Sequence, residues 1–389
     1  MNRAVLGLTL VLTAGALTFA FWPDRDAATP HAGVQATLAV RDALGAGDGF
    51  ARALVPRPLS FPEDHGPHPE FRTEWWYYTG NLRTSAGRHL GFQLTFFRIA
   101  LAPPPTELPS ERPASAWRTN QLLHAHFTVT DTAGARFHAS SRSSRAVLGL
   151  AGAEARPFRV WLEDWSVEAE GPAALPMRLR AAEGGLAIDL RLMTDKPPIL
   201  HGDGGLSRKG PEPGNASYYY SFTRMAATGT VRVGAETLDV SGRAWMDREW
   251  STSALGPDLV GWDWFAIQLD DGRDLMFYLL RRHDGTADAL SGGTLVGADG
   301  TPRSLGATDI AVETLASWTS TRSGVRYPAR WRLTVESAGL QLEARPRLAD
   351  QELIVGTRYW EGAVAVDGSA GGRPISGQGY VELVGYGGG

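Results

Sequence analysis

The sequence predicts an all-β protein, and three observations support this prediction. Short segments in which apolar and polar residues alternate recur from about residue 63 onward, as in residues 186–192 (LAIDLRL), a pattern typical of half-buried strands. The helical period nearly disappears after residue 60. Turn-forming residues separate the segments at fairly even spacing, for example at 270–272 (DDG), 299–300 (DG) and 370–372 (AGG). Many short strands joined by such turns are typical of antiparallel barrels or sandwiches.

The composition excludes several classes of protein and of site. Of the 389 residues, 43% are hydrophobic, and the formal net charge is −4. The hydrophobic content excludes wholesale disorder, and the chain lacks the excess of basic residues that is typical of a nucleic-acid binder. Cysteine is absent, which excludes disulfides, thiolate metal sites, a cysteine nucleophile and a lipid-modified cysteine. Dinucleotide-binding, P-loop and nucleophile-elbow motifs are also absent. Only Lys196 and Lys209 are lysines, which leaves few candidates for Schiff-base chemistry.

Residues 1–25 are predicted to be a signal peptide or an N-terminal anchor. Arg3 precedes an apolar run from Ala4 to Trp22, and polar residues follow the run, as in an export signal. The run is close to the lower length limit for a membrane span, so an uncleaved anchor stays open. In both cases we expect the rest of the chain to be periplasmic or secreted.

Residues 26–62 form a lead-in rich in Pro, Ala and Gly. A short helix is expected around Val34–Leu54, whereas residues 55–69 hold five prolines and are expected to be irregular. Strands are predicted after this lead-in at Glu74–Gly80, Leu90–Arg98, Leu122–Thr130, Phe158–Ala169, Leu186–Leu192, Tyr218–Thr223, Thr237–Met246, Trp262–Leu269, Leu275–Leu280, Tyr327–Val335, Leu340–Pro346, Ala363–Val366 and Gly379–Tyr386.

These strands are predicted to form two units of similar size, residues 63–228 and 229–389. A Gly- and Pro-rich loop, Ile199–Ser217, precedes the boundary between them. A loop of that length in a compact domain is usually functional or disordered.

The first cluster of chemically interesting residues surrounds the aromatic run after Glu74. On a strand, Glu74, Trp76 and Tyr78 face one way, while Trp75 and Tyr77 face the other. Both faces are large, aromatic and partly polar. A barrel strand with one face in a ligand cavity and the other under a neighbouring unit has this pattern, and so does a well-packed core strand.

The second cluster is at residues 242–250, and residues 261–264 (GWDW) follow it. In an extended strand Trp245, Asp247 and Glu249 share a face, and the two carboxyl groups lie roughly 6–7 Å apart. In an apolar cavity, repulsion and desolvation raise one pKa and create a proton donor. Alternatively, Arg248 between them holds the local charge balance as an ion pair. Trp250, Trp262 and Trp264 supply faces for a cation or an apolar ligand.

The third cluster is a pair of histidines, His124 and His126, on one face of a predicted strand. Such a pair is half of a candidate zinc site and needs a third ligand, for which His65, His68, His89 and His138 are available. Paired histidines are also common on strands without a metal. A Ser-His-Asp triad has no fixed spacing and stays open too.

Several phrases together resemble one known family: residues 74–82 (EWWYYTGNL), 93–98 (QLTFFR), 245–250 (WMDREW), 261–264 (GWDW), 359–362 (YWEG) and 377–383 (GQGYVEL). They resemble the secreted AttH-like proteins, which are related to carotenoid 1,2-hydratase (hydroxyneurosporene synthase). The resemblance covers about residues 61–386 and implies two packed lipocalin-like (calycin-type) β-barrels with an apolar cavity as the site. It also implies kinship with lipocalin-like cyclases that act on polyenes.

The chain departs from the family at Arg248, where the family's motif usually has histidine. Because arginine does not accept a proton at any working pH, the resemblance leaves Asp247 as the better acid. The short Gly-x-Trp signature of ordinary lipocalins is also missing.

The leading interpretation is an exported lipocalin-like protein that binds a long apolar ligand, such as a lipid, isoprenoid or polyene. As a carrier it would serve an envelope ABC transporter. The predicted ligand-binding residues are Glu74, Trp75, Trp76, Tyr78, Trp245, Trp250, Trp262 and Trp264. A carrier needs only an apolar cavity with a few orienting polar groups.

The alternative is a hydratase that adds water to a terminal alkene by acid catalysis. In that interpretation Asp247 is the acid, tryptophans stabilise the cation, and Tyr278 positions the water, with Glu249 and Arg248 as the remaining catalytic candidates. These steps imply no organic cofactor and no redox centre. Hydrolysis, as a common label of the family suggests, is a remote alternative without a motif behind it.

Overall fold

The structure is a computed structural model that describes residues 47–104, 118–253, 255–256 and 258–388. The described residues form one compact unit. The predicted signal or anchor at 1–25 lies outside the described residues, as does most of the predicted helix Val34–Leu54. The described part of that helix, residues 47–54, is irregular instead. Within the described ranges, no helix is long and apolar enough to span a membrane.

Within the described residues, thirteen strands form the first sheet, in the order β4-β3-β2-β1-β13-β12-β9-β8-β7-β6-β5 with β10 and β11 beside β12. They are β1 (Thr73–Arg83), β2 (His89–Ala100), β3 (Gln121–Asp131), β4 (Arg136–Arg145), β5 (Ala151–Ala155), β6 (Phe158–Leu162), β7 (Trp165–Ala169), β8 (Met177–Glu183), β9 (Leu186–Met193), β10 (Ile199–Leu200), β11 (Leu206–Arg208), β12 (Ala216–Val233) and β13 (Glu236–Ser253). Because β6 near one end of this path contacts β2, β3 and β4 near the other, the sheet forms a nearly closed barrel, the first barrel.

The second sheet has ten described strands, in the order β17-β16-β15-β14-β23-β22-β20-β19-β18 with β21 beside β22. They are β14 (Leu259–Leu269), β15 (Asp274–Arg282), β16 (Gly292–Val296), β17 (Pro302–Gly306), β18 (Ala311–Thr319), β19 (Arg326–Val335), β20 (Leu340–Pro346), β21 (Glu352–Ile354), β22 (Arg358–Ala370) and β23 (Arg373–Leu383). All strand pairings in both sheets are antiparallel, and single turns of 3₁₀ helix occur at Glu63–His65, Glu336–Ala338 and Tyr386–Gly388. The predicted all-β, antiparallel fold is confirmed.

The chain changes sheets between Ser253 and Leu259, later than the predicted boundary at residues 228 and 229. Those two residues lie inside β12, which pairs with β13 along nearly its whole length. Both are 18-residue strands of the first sheet. The sequence pattern does not show this, because the turn between β12 and β13 looks like any other hairpin turn.

Each sheet encloses a hydrophobic core of its own. The first core includes Trp76, Trp165 and Trp250, and the second includes Trp331 and Trp360, all at most 1% exposed. The predicted alternation along β1 is confirmed, since Trp76 and Tyr78 lie in the first core. The other face of β1 points out of the first barrel and is nevertheless buried, because the second sheet covers it.

Candidate active site between the two sheets

The outer faces of the two sheets meet in a layer rich in aromatic side chains, which we call the inter-sheet site. Its buried hydrophobic members are Tyr77, Tyr219 and Trp245 from the first sheet and Trp264, Ala266, Met276, Ala363 and Tyr380 from the second, with Trp75, Trp262 and Tyr278 partly buried beside them. Five residues predicted for the site therefore come together here: Trp75, Trp245, Trp262, Trp264 and Tyr278.

Asp247 is a buried acid of this layer, 4% exposed. Its carboxyl group accepts hydrogen bonds from Trp245 Nε1 (2.6 Å), Tyr219 OH (2.8 Å) and Ser221 Oγ. Burial opposes these donors and raises the pKa of Asp247 to about 6. A carboxyl group with that pKa exists in both protonated and ionised forms near neutral pH, which suits a general acid.

His201 holds one of the groups that donate to Asp247. Its Nε2 lies 2.7 Å from Ser221 Oγ, and its Nδ1 lies 2.9 Å from Thr294 Oγ1 on the second sheet. Burial lowers the pKa of His201 to about 3, so the ring is neutral. Because Ser221 donates to Asp247, its oxygen accepts the His201 N–H, and the carboxyl is held in place from the far sheet. The sequence analysis singled out the loop that carries His201 but not the residue.

Glu249 shares the face of Asp247, as predicted, but has different partners. It accepts a hydrogen bond from Ser217 Oγ and makes an ion pair with Lys209 Nζ. The Lys209 ammonium also lies 5.3 Å from the ring centroid of Tyr219 and 5.8 Å from that of Tyr278. The two neighbouring carboxyl groups therefore differ, since Glu249 contacts Lys209 directly, whose pKa burial lowers to about 7, and Asp247 is held by neutral donors.

Two further acids from the second sheet face the same layer, Glu382 partly buried and Glu361 fully buried. Glu382 accepts a hydrogen bond from Trp262 Nε1 at 2.7 Å, and burial raises its pKa to about 7. Glu361 is 0% exposed and accepts a hydrogen bond from Tyr77 OH, and burial raises its pKa well above the ordinary value. The sequence analysis missed both as acids, although they lie in two of the phrases that carry the family resemblance.

Arg248 and Glu74 lie on the opposite face of their strands, inside the first barrel. Arg248 donates to the Glu74 carboxylate, and Arg98 donates to the other carboxylate oxygen. Arg248 also stacks over Trp76, with 4.0 Å from its guanidinium carbon to the ring centroid. The interpretation of Arg248 as an ion-pair residue therefore fits, but its partner is Glu74 and neither Asp247 nor Glu249.

The remaining predicted ligand-binding residues, Trp76, Tyr78 and Trp250, are 0% exposed and fill the first core together with Glu74 and Arg248. The resemblance placed the site in a barrel cavity. The structure instead brings Asp247 and most of the predicted tryptophans together between the sheets.

His124 and His126 share a face, as predicted, and hydrogen-bond to each other, with 2.6 Å between their Nε2 atoms. Among the residues that the structure describes, no group of three or more His, Asp or Glu side chains is placed to hold a metal ion. Three of the proposed third ligands have other partners: His65 bonds to Tyr220, His68 to Glu74 and His89 to Asn81.

A small cavity with a volume of about 10 Å³, room for about one water molecule, opens within the same layer. It is lined by Thr79, Gly80, Asn81, Trp245, Ala266, Gln268, Gly379 and Tyr380. Both sheets contribute to its wall, so the layer is not packed solid.

Comparison with known proteins identifies one family over nearly the whole described chain. A family model described as AttH-like matches residues 52–386. The crystal structure of a Nitrosomonas europaea protein assigned to AttH is 34% identical and covers 87% of this chain and 100% of its own, with a TM-score of 0.76. None of the curated proteins matches the sequence significantly.

Two more distant solved structures share the fold. Kievitone hydratase from Nectria haematococca is 15% identical, covering 88% of this chain and 98% of its own with a TM-score of 0.64. CghA in complex with Sch210972 is 17% identical, covering 88% of this chain and 97% of its own with a TM-score of 0.51.

Proposed function

The chain belongs to the AttH-like family, and from the geometry around Asp247 we propose that it is an acid catalyst of the hydratase type. In this proposal it binds a hydrophobic, unsaturated small molecule between its two sheets and adds water to a carbon–carbon double bond.

The observation that carries the proposal is the environment of the Asp247 carboxyl group. Burial raises its pKa to about 6, while Tyr219, Ser221 and Trp245 fix its orientation. An alkene is a very weak base, so the donor has to be a positioned acid that still holds its proton close to neutral pH. Asp247 meets both requirements.

The aromatic rings beside Asp247 fit the charge that develops in such a reaction. Protonation of an alkene carbon leaves a carbocation, and the faces of aromatic rings attract cations. Trp264 packs edge-on against Tyr77 and Trp245, with ring centroids 5.2 Å and 6.2 Å apart. Its Nε1 donates to Tyr219 OH at 3.1 Å, which fixes the ring in its place.

The proposed steps balance without a cofactor. The Asp247 carboxyl gives its proton to one alkene carbon, and water adds to the cation at the other. The added water then releases one proton, so the net change is the addition of one water molecule. A trisubstituted alkene is the preferred substrate class, because its protonation gives a tertiary cation.

The test is to incubate the protein in D₂O with squalene and with lycopene, two acyclic isoprenoids that have trisubstituted terminal alkenes. Catalysis is expected to give a tertiary alcohol with one deuterium on the neighbouring carbon, measured by mass spectrometry after exchange of the hydroxyl. A polyene that binds, quenches tryptophan fluorescence and is returned unlabelled would contradict catalysis and support the carrier interpretation. The absence of both binding and label for either isoprenoid would contradict the proposed substrate class.

We also propose that the chain is exported, on the basis of Arg3 and the apolar run from Ala4 to Trp22. A fusion of residues 1–40 to a reporter that is active only outside the cytoplasm is expected to be active. A stable but inactive fusion would contradict export. Recovery of the full-length fusion from the membrane fraction would indicate an anchor in place of a cleaved signal.

A further inference from the structure

A row of hydrogen-bonded side chains leads from the protein surface toward the inter-sheet site. It begins at the exposed Ser143 on β4, whose Oγ lies 2.6 Å from His124 Nδ1. His124 Nε2 lies 2.6 Å from His126 Nε2, and His126 is 1% exposed. Phe97 packs against both imidazoles, at 6.2 Å and 5.3 Å between ring centroids. The histidine pair therefore contacts an exposed side chain at one end and is buried at the other.

The row continues from the first sheet into the second. His126 Nδ1 lies 2.6 Å from the hydroxyl of Tyr359, which is 3% exposed on β22. Tyr359 and Glu361 are two residues apart on that strand, so their side chains share a face, and the two groups interact electrostatically. We call Ser143, His124, His126, Tyr359 and Glu361 the proton file.

Glu361 at the inner end has the properties of a protonated acid. Its Oε1 accepts a hydrogen bond from Tyr77 OH, whereas its Oε2 is buried without a hydrogen-bond partner. An ionised carboxylate with one bare oxygen at 0% exposure is costly. Burial and the nearby Glu382 and Asp247 raise the pKa of Glu361 well above its ordinary value.

The hydrogen bonds from Ser143 to Tyr359 can all be satisfied in either of two directions. In one, Tyr359 donates to His126 Nδ1, His126 Nε2–H donates to His124, and His124 Nδ1–H donates to Ser143. In the other, every donor reverses, which exchanges the tautomers of both imidazoles. A row that is complete in both directions can move a proton stepwise, and a proton that leaves Glu361 along it is replaced when another proton returns from solvent.

We propose that Glu361 is kept protonated and exchanges its proton with solvent through Tyr359, His126 and His124, so that the inter-sheet site stays in protonic contact with the outside while the sheets remain packed. This inference deepens the proposed function and rests on it. Glu361 is a positioning residue in this account, because no contact places it on the reacting atoms.

The proton file answers a requirement of the proposed hydration. Asp247 gives a proton to carbon, and the attacking water releases one elsewhere, so the site has to redistribute a proton in every cycle. The side chains around Asp247 include Lys209 and Glu382, whose pKa values burial shifts to about 7, and both side chains are partly exposed. Glu361 is 0% exposed, and for this group the proton file, which ends at the exposed Ser143, supplies a route to solvent.

The test is infrared spectroscopy of the full chain, with a chelator present so that no metal occupies the histidine pair. Glu361→Gln is expected to remove one carbonyl band of a protonated carboxylic acid at pH 7. After transfer to D₂O, that band is expected to shift at least about tenfold more slowly in Tyr359→Phe than in the wild type, because a broken row of hydrogen bonds has to be replaced by local opening. Tyr380→Phe is the matched control, since it removes a buried hydroxyl near Glu361 that has no hydrogen-bond partner.

Three outcomes would overturn the inference: no acid band lost in Glu361→Gln, unchanged exchange in Tyr359→Phe, or equal slowing in Tyr380→Phe. None of these measurements needs a substrate. If the wild type does not label squalene but the infrared result is as expected, the proposed function is contradicted and the proton file is supported. If the wild type labels squalene but the infrared result is not as expected, only the proton file is contradicted.

Discussion

Replacing Asp247 by asparagine is expected to reduce turnover by about 10²–10⁴-fold, the usual contribution of a positioned general acid, while the protein stays folded. Asparagine keeps the shape of a protonated aspartic acid: its oxygen can accept from Trp245 and Ser221, and its amide group lies beside the Tyr219 hydroxyl, which can turn to accept. It has no proton to give to an alkene. The loss is therefore expected in kcat with little change in ligand affinity, measured by product formation and fluorescence titration on one sample.

The pH dependence follows from the direction of the pKa shift. The active form of Asp247 is the protonated one, and burial raises its pKa to about 6. The rate is expected to be constant below about pH 6 and to fall about tenfold per unit above it. Stability depends on pH in the same direction. The folded state keeps a proton on Asp247 that the unfolded chain releases above its pKa of 3.8, so the contribution of Asp247 to the free energy of unfolding falls as pH rises from 3.8 to about 6. Asp247→Asn removes that part of the dependence.

Asp263→Asn is the matched control, because burial raises the pKa of Asp263 to about 6 as well. Asp263 pairs with Arg281 (2.8 Å) and accepts from Tyr386 OH (3.0 Å). It is an acid of the same type with a structural partner, so this change is expected to affect stability and leave turnover per folded molecule unchanged. Equal losses of turnover in the two variants would contradict a specific role for Asp247.

The alternation of β1 and β13 was predictable because a strand turns successive side chains to opposite faces. It correctly placed Trp245, Asp247 and Glu249 together, and Trp76 with Tyr78. It did not show which face lies inside a barrel, because β1 is buried on both sides. The usual rule that the apolar face of a strand is the inner one does not distinguish the two faces of such a strand.

The hydrogen-bond and ion-pair partners of the predicted residues could not be predicted from the sequence, for a different reason. Glu74 and Arg248 are 174 positions apart, and Tyr77 and Glu361 are 284 apart. Their contacts depend on the register of β1 against β13 and on how the second sheet packs over it, and neither is encoded in a local pattern. Glu361 in particular sits next to Trp360 and Gly362 in a phrase that reads as an ordinary strand.

Replacing Arg248 by methionine is expected to lower the free energy of unfolding by about 3–5 kcal/mol, the usual cost of breaking a buried ion pair on one side. Its guanidinium is 0% exposed and donates to Glu74 and to the carbonyl oxygen of Gly66. Without it, the Glu74 carboxylate keeps only Arg98 as a cation in direct contact. The measurement is chemical denaturation, with turnover measured per folded molecule.

The control for Arg248 is Arg178→Met, which breaks an exposed ion pair with Asp189. That change is expected to cost at most about 1 kcal/mol, because solvent screens such pairs. A cost for Arg248→Met as small as that for Arg178→Met would contradict the structural role. So would a loss of turnover per folded molecule without a loss of stability, which would return Arg248 to the catalytic candidates.

Acid unfolding gives an independent check on the same buried cluster. Burial of Glu74 opposes its ionisation, but the charges of Arg98 and Arg248 outweigh burial and hold the pKa of Glu74 well below 4.5. The cluster therefore stabilises the fold above the unfolded pKa, and this contribution is lost as pH falls below it toward the folded value. Arg248→Met removes one of the two cations, so the pKa of Glu74 rises and acid unfolding is expected to begin at a higher pH than in the wild type. Glu74→Gln removes the titrating group. The double variant Glu74→Gln/Arg248→Met is therefore expected to have the same pH midpoint of acid unfolding as Glu74→Gln alone. A further shift in the double variant would mean that Arg248 acts on an acid other than Glu74.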